Sequence, residues 1–308
     1  MRPANGVALS RQADPALLSG LLMAAVGAIA FSGKAIIVKL AYRHGVDAVT
    51  LIMYRMLFAL PIFAGMAWWA SRGKAPLSPR DWRGILLLGF SGYYLSSFLD
   101  FAGLSYISAS LERLILYLNP TLVLLLGLLL YRRRIRLMQA LGMTVSYLGV
   151  ALVFGHELQN QGADAALGAL LVFLSAVSYA VYLSFSHEFV KRLGALRLVG
   201  LASSLACLLC LLQFVLLRPL SAAGVVPEVL WLSLLNATLC TVVPVLLMMM
   251  AIERIGAAVT AQIGMIGPLS TILMGALLLD EALNAWVLAG TVLVLSGVYI
   301  CTRALRQP

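Results

Sequence analysis

Residues 119–130 read NPTLVLLLGLLL and residues 267–278 read GPLSTILMGALL. The two stretches stand 148 positions apart, and each is a proline followed by an apolar run. The same offset carries outward. Gly127 falls on Gly275, Leu129-Leu130 on Leu277-Leu278, Gly142 on Gly290, and Gly149-Val150 on Gly297-Val298. Toward the N-terminus, Gly20 falls on Gly168. One proline and several glycines held at one spacing without a gap point to a duplicated unit.

Each copy of that unit is almost wholly apolar. Ten stretches are long enough to cross a bilayer: 17–38, 47–70, 83–106, 109–130, 136–155, 166–187, 196–217, 229–250, 256–279 and 284–303. About 20 apolar residues suffice, at about 1.5 Å of rise each. The runs lack the alternation of barrel strands, so they are expected as helices. Across the 308 residues, 62% are apolar and 11% charged, with a mean hydropathy of +0.99. A soluble core cannot absorb that excess. The expected fold is an all-α membrane protein of ten transmembrane helices.

Five spans per unit is an odd number, so the second copy enters the membrane from the opposite side. The expected architecture is two inverted five-helix repeats, a plan that places a substrate site near mid-membrane between the halves. The domain reading is an N-terminal cytoplasmic segment at 1–16, a first repeat at 17–155, an external linker at 156–165, a second repeat at 166–303 and a C-terminal tail at 304–308. Met1 to Asp14 is polar and lacks the pattern of a cleaved signal, so the first span is expected to be retained.

The net charge of +10 follows the same topology. With the N-terminus inside, sixteen Lys and Arg fall in inner segments, among them Arg72, Lys74, Arg80, Arg83, Arg132, Arg133, Arg134 and Arg136. Only Lys39, Arg43 and Arg218 fall outside. That bias puts both termini in the cytoplasm and makes the basic surplus a topology signal, with no nucleic-acid partner implied. Cys207, Cys210, Cys240 and Cys301 all lie in apolar spans, where a thiol behaves as a small hydrophobe.

Enzyme signatures fail on inspection. Gly89-Phe90-Ser91-Gly92 imitates an intramembrane serine nucleophile, but His44, His156 and His187 lie in loops or at span ends, away from membrane depth. His156-Glu157 and His187-Glu188 begin like a zinc-protease motif, yet Asn160 and Lys191 stand where the second histidine belongs. No metal or cofactor is implied, and the reading is of a protein that is not an enzyme.

Charges inside the spans say more, because each costs several kcal/mol unless paired or hydrated. Lys34, Arg55, Asp100, Glu112 and Arg113 all fall in the outer half of the first repeat and are read as a charge network. It could lock helices together or line a charged vestibule. A second set, Tyr94, Tyr117, Asn119, Tyr179, Tyr182, Asn236, Thr241 and Gln262, lies near mid-membrane and forms the candidate substrate cavity; packing roles would suit several of the tyrosines equally. Arg113, Tyr117 and Pro120 share one face of span four by their spacing. Pro120 and Pro268 would each bend a helix and serve as paired hinges.

The whole chain resembles the drug/metabolite transporter superfamily in its ten-helix EamA-type form. The resemblance is carried by Phe31-Ser32-Gly33 with Lys39, by Arg55, by Tyr106 to Ser110 with Asn119-Pro120, and by Ile255-Gly256-Ala257-Ala258 with Gly267-Pro268 and Leu277 to Glu281. One departure stands out. Tyr131-Arg132-Arg133-Arg134 replaces the acidic close of span four, which leaves Glu281 without a mate. The resemblance implies a cavity lined by spans one, three, four, six, eight and nine. It is nearest to a bacterial branch that exports amino acids, including aromatic ones. The expected function is an inner-membrane secondary transporter moving amino acids or similar amphipathic metabolites, in the direction of export, by alternating access. A channel-like facilitator is the alternative. The expected partners are a small-molecule substrate and the lipid bilayer, and two fused units are compatible with a monomer.

Overall fold

The computed structural model describes residues 15–131, 136–161 and 163–304. The N-terminal segment to residue 14, the arginines at 132–134 and residues 305–308 lie outside the described residues. Regular structure among the described residues is all helical. In the first half it comprises α1 (Pro15–Tyr42), α2 (Ala48–Ser71), α3 (Pro79–Leu88), a π-helical segment (Gly89–Leu95), α4 (Ser96–Leu104), α5 (Ala109–Leu116), α6 (Asn119–Tyr131) and α7 (Leu137–Gln161). The second half comprises α8 (Ala163–Leu193), α9 (Ala195–Leu217), a short 3-10 turn (Leu220–Ala223), α10 (Pro227–Ala237), a second π-helical segment (Thr238–Val242), α11 (Val243–Gly264), α12 (Ile266–Leu278) and α13 (Ala285–Ala304).

Local sequence explains the element boundaries. Asp47 caps α2 by accepting from the N–H groups of Val49 and Thr50. Ser78 and Asp81 form a capping box at the start of α3, with Pro79 inside the first turn, where its missing N–H costs nothing. Ser108 caps α5 through the N–H of Leu111. Gly256 interrupts α11 at a φ of 78°, a left-handed backbone that a side chain rarely tolerates.

The duplication is visible in the element list. Each of α1, α2, α3 and α7 has a counterpart, α8, α9, α10 and α13, whose start lies 148 residues on, to within one residue. The part of α11 after Gly256 matches α5, α12 matches α6, and the two π-helical segments also correspond. Contacts obey the same relation. A Cβ placed on Gly142 would stand 2.7 Å from the carbonyl oxygen of Gly297, and one on Gly149 would stand 2.7 Å from that of Gly290. Gly142 and Gly290 are repeat mates, as are Gly149 and Gly297. Position rises along α7 while it falls along α13, so these equivalent helices pack antiparallel about a pseudo-two-fold axis. Gly20 likewise packs on Arg254 and Ile255, and Gly168 on their mates Tyr106 and Ile107.

The remaining packing follows suit: α1 lies on α11 and α12, while α8 lies on α4 and α6, and α2 pairs with α9. Among the described residues, eight helices are long and apolar enough to cross a membrane. Two further apolar helices, Ile266–Leu278 and Ala285–Cys301, are shorter. The ninth apolar stretch is not one continuous helix: it is interrupted at Met265, between α11 and α12. Large apolar side chains such as Leu129, Leu216 and Trp231 stand exposed, as a lipid-facing surface requires. The molecule is a multi-pass membrane protein.

The prolines correct one expectation. Neither bends a continuous helix: Pro120 is the second residue of α6, and Pro268 the third of α12. Each opens a new helix after a break, because proline fits a first turn and obstructs an interior one.

Candidate functional site

Lys34 on α1 is the centre of the charge network. Its ammonium pairs with Asp100 Oδ2 on α4 and lies 3.1 Å from Glu112 Oε1 on α5. All three residues are buried, Glu112 completely. Arg113 and Arg55 do not join them through hydrogen bonds. Arg113 Nε donates to Thr271 Oγ1 at 2.9 Å and its NH2 to the Phe31 carbonyl at 3.1 Å. Arg55 Nε donates to Thr241 Oγ1 at 3.1 Å, with the guanidinium 5.1 Å from the Phe101 ring centre. The five charges thus divide into a lysine–dicarboxylate core and two arginines tied to hydroxyls of the second repeat.

The proline breaks form a second feature. A proline at position i cannot donate to the carbonyl at i−4. For Pro120 that carbonyl is Leu116, and Asn119 Nδ2 donates to it at 2.7 Å. For Pro268 it is Gly264, and the Tyr117 hydroxyl donates to it at 2.7 Å. Ser32 Oγ on α1 donates to the Gly267 carbonyl at 2.9 Å. Spans four and nine are therefore joined by Tyr117 at a freed carbonyl, and spans one and nine by Ser32 just beyond it. Arg113 and Tyr117 do share the face toward span nine, as their spacing predicts, Arg113 meeting α12 and Tyr117 the end of α11, while Pro120 lies beyond the break.

A third group closes one end of the bundle. Glu281, just past α12, accepts from the N–H groups of Ala109 at 2.7 Å and Ser110 at 3.2 Å, and from Ser110 Oγ at 2.7 Å. Glu157 on α7 accepts from Ser108, through both its N–H at 3.2 Å and its hydroxyl. Two carboxylates thus hold the N-terminal turn of α5, where exposed N–H groups and the helix dipole favour negative charge. Lys39 donates to the carbonyls of Leu104 and Ile107, and Arg43 to that of Leu279. Beside them opens a cavity of about 900 Å³, lined among others by Lys39, Tyr42, Arg43, Asp47, Phe98 and Glu281. None of the expected cavity residues lines it.

Comparison with known proteins bears on what such a bundle is. The profile of the EamA-like transporter family matches twice, over residues 18–155 and 166–303. The chain belongs to the EamA-like transporter family. It is 31% identical over 287 residues to the uncharacterized transporter YcbK of Bacillus subtilis, covering 86% of this chain and 87% of the relative. An uncharacterized transporter of Archaeoglobus fulgidus is 23% identical over 93% of this chain and 98% of its own. The WAT1-related protein At1g68170 of Arabidopsis thaliana is 26% identical over 88% and 85%. A solved crystal structure superimposes with a TM-score of 0.62 over 94% of this chain and 97% of that one; at 19% identity it speaks for the fold alone.

Within this EamA-like transporter the expected tyrosines divide. Tyr179 and Tyr182 stack with ring centres 5.4 Å apart, and Tyr182 meets Tyr93 hydroxyl to hydroxyl at 3.2 Å. Tyr94 instead lies half-buried against Phe90. Tyr182 is the repeat mate of Lys34, and Tyr179 that of Phe31, so the tyrosine cluster occupies the pseudo-equivalent of the lysine site. Asn236 is buried with both side-chain polar atoms unpartnered. Gln262 sits on α11, and its side chain lies outside the described residues. Ser91, the imitation nucleophile, donates its hydroxyl to the Leu87 carbonyl at 2.8 Å.

Sequence reasoning passed over Ser32, Tyr93, Glu157 and Thr271. Ser32 and Thr271 are isolated hydroxyls in apolar runs, a pattern that often means only a bond to the preceding turn. Glu157 was assigned to a linker. The turn sequence Ser108-Ala109 ahead of an apolar helix was the available signal that N–H groups there needed acceptors.

Proposed function

We propose that this EamA-like transporter is an inner-membrane secondary carrier of amino acids or similar small amphipathic metabolites, working by alternating access in the direction of export. In this reading all ten apolar stretches span the bilayer, with the two shorter helices crossing as parts of broken or tilted spans. The repeats at 17–155 and 166–303 are inverted, and both termini are cytoplasmic. The end closed by Glu281 then faces outward.

The observation that carries the reading is the stitched break at mid-bundle. Spans four and nine are each interrupted at repeat-equivalent points, and discontinuous helices at a repeat interface mark binding sites in secondary transporters. Tyr117 and Asn119 offer polar atoms at those breaks, and Asn236 on α10 adds a buried amide to the proposed path. Tyr94, Tyr179, Tyr182 and Gln262 extend the proposed path. Lys34, Arg55, Asp100, Glu112 and Arg113 set the electrostatics of its outward half. A monomer suffices, because the pseudo-two-fold partner is already in the chain.

The test is flux. Purified protein in liposomes loaded with unlabelled amino acids should accumulate labelled aromatic or aliphatic amino acid by counterflow, saturably and with competition. Flux without saturation or competition would indicate a facilitating channel. No flux across a broad panel of amino acids and amphipathic metabolites would sink the proposal.

A further inference from the structure

We propose that Asp100 and Glu112 form a proton-binding site of the carrier, with Lys34 as its fixed counter-ion. The inference rests on the carrier reading only for what the proton drives; the site itself stands on its own geometry.

The two carboxyl groups come from α4 and α5 and face the same side chain, Lys34, in the interior of the bundle. One ammonium serves both. Asp100 Oδ1 and Glu112 Oε2 have no hydrogen-bond partner, although both residues are more than nine-tenths buried. Two ionised carboxylates held against one ammonium repel each other; a proton between them supplies the missing hydrogen bond and relieves that repulsion. A pair locked purely for structure would satisfy all its oxygens, because an unpartnered buried acceptor is costly.

The charges facing the pair from each packed element are few. They are Lys34 from α1, Arg55 from α2 and Arg113 on α5 itself. Both arginines lie within electrostatic reach, yet spend their described hydrogen bonds on Thr241, Thr271 and the Phe31 carbonyl. Tyr42 of α1 also lies within electrostatic reach of Asp100. Its hydroxyl donates to the Phe101 carbonyl at 2.5 Å. Tyr42 also lines the 900 Å³ cavity. The step is a simple one: a hydronium ion reaching the pair from the aqueous side passes its proton to a carboxylate oxygen and is left as water. No bond other than O–H forms or breaks. Nothing in the second repeat duplicates the device, since the mates of Asp100 and Glu112 are Met248 and Thr260.

Infrared difference spectroscopy on the full-length protein in lipid tests this without any substrate, so its failure is separable from failure of the flux assay. The wild type should show a protonated-carboxyl band that shifts in heavy water and disappears as pH is raised. That band should be lost in Glu112→Gln and Asp100→Asn, and kept at a shifted frequency in Glu112→Asp, which also guards against misfolding of the other two. Lys34→Met should strengthen it about twofold, because two carboxyls then lack a counter-ion. The absence of such a band in the wild type at every pH, or a band unchanged in both Glu112→Gln and Asp100→Asn, overturns the proposal.

Discussion

The hydroxyl of Tyr117 donates to the carbonyl of Gly264 at 2.7 Å, joining the broken span of one repeat to the broken span of the other. That carbonyl is the one Pro268 leaves without a backbone donor. Tyr117→Phe removes only the donor. We expect it to lower stability by about 1–3 kcal/mol, the cost of an unsatisfied acceptor in a dry interior. Thermal unfolding in detergent would measure it, and an unchanged midpoint would mean that water or another donor takes over. Asn119→Ala should act in parallel on the Leu116 carbonyl.

Glu281 closes the opposite side of the same span. Its carboxylate holds two N–H groups of α5 across the repeat boundary. Glu281→Ala should free that turn. In an Ala109→Cys background, where the position starts fully buried, modification by a membrane-impermeant maleimide should speed up about tenfold. That factor corresponds to ~1.4 kcal/mol, the lower end for hydrogen bonds to a charged group. A rate equal to that of the parent would show that Glu157 and Lys39 keep the end shut without it.

The glycine pairs between α7 and α13 predict a reciprocal pattern. Gly142→Ala and Gly290→Ala each drive a methyl to within 2.7 and 2.8 Å of a facing carbonyl oxygen. Each should cost about 1–3 kcal/mol through overpacking. Repeat mates should behave alike. Gly155→Ala, with open space around it, should be neutral or slightly stabilising. Unfolding midpoints of these three variants check the pseudo-symmetry directly.

Acid sensitivity should show at Asp47, in the loop between α1 and α2. Burial pushes its carboxyl up, but the Thr50 hydroxyl, Arg218 and the Thr50 N–H outweigh that and hold it below the ordinary 3.8. A depressed folded value means the group stabilises above the unfolded value and stops doing so as pH falls through the folded one. Asp47→Asn should therefore flatten the loss of stability below about pH 4. A slope identical to that of the wild type would show that the half-exposed pair with Arg218 is screened away.

Much of the plan was legible because it depends on composition and local rules. The apolar stretches, the shared offset and the basic loops are properties of the chain read in order. The pairing inside the charge network was not legible. Lys34, Asp100 and Glu112 were recognised as a group at one depth, yet so were Arg55 and Arg113, which the structure ties to Thr241 and Thr271 instead. Spacing singles out Tyr94, whereas its neighbour Tyr93 makes the contact to Tyr182. The π-helical turn at Gly89–Leu95 accounts for that miss, since it shifts the face of every later residue relative to a regular 3.6-residue helix.

Length, hydropathy and the 148-residue repeat are one-dimensional facts, and they alone determined a duplicated bundle of membrane helices. Tertiary structure decided what the interruptions do. Prolines read as hinges inside helices turned out to begin new ones, with their orphaned carbonyls taken by Asn119 and Tyr117. Which donor reaches a freed carbonyl depends on the rotation and offset of a neighbouring helix. Helical periodicity cannot carry that information across a π turn or a break, because each one resets the phase of the helix.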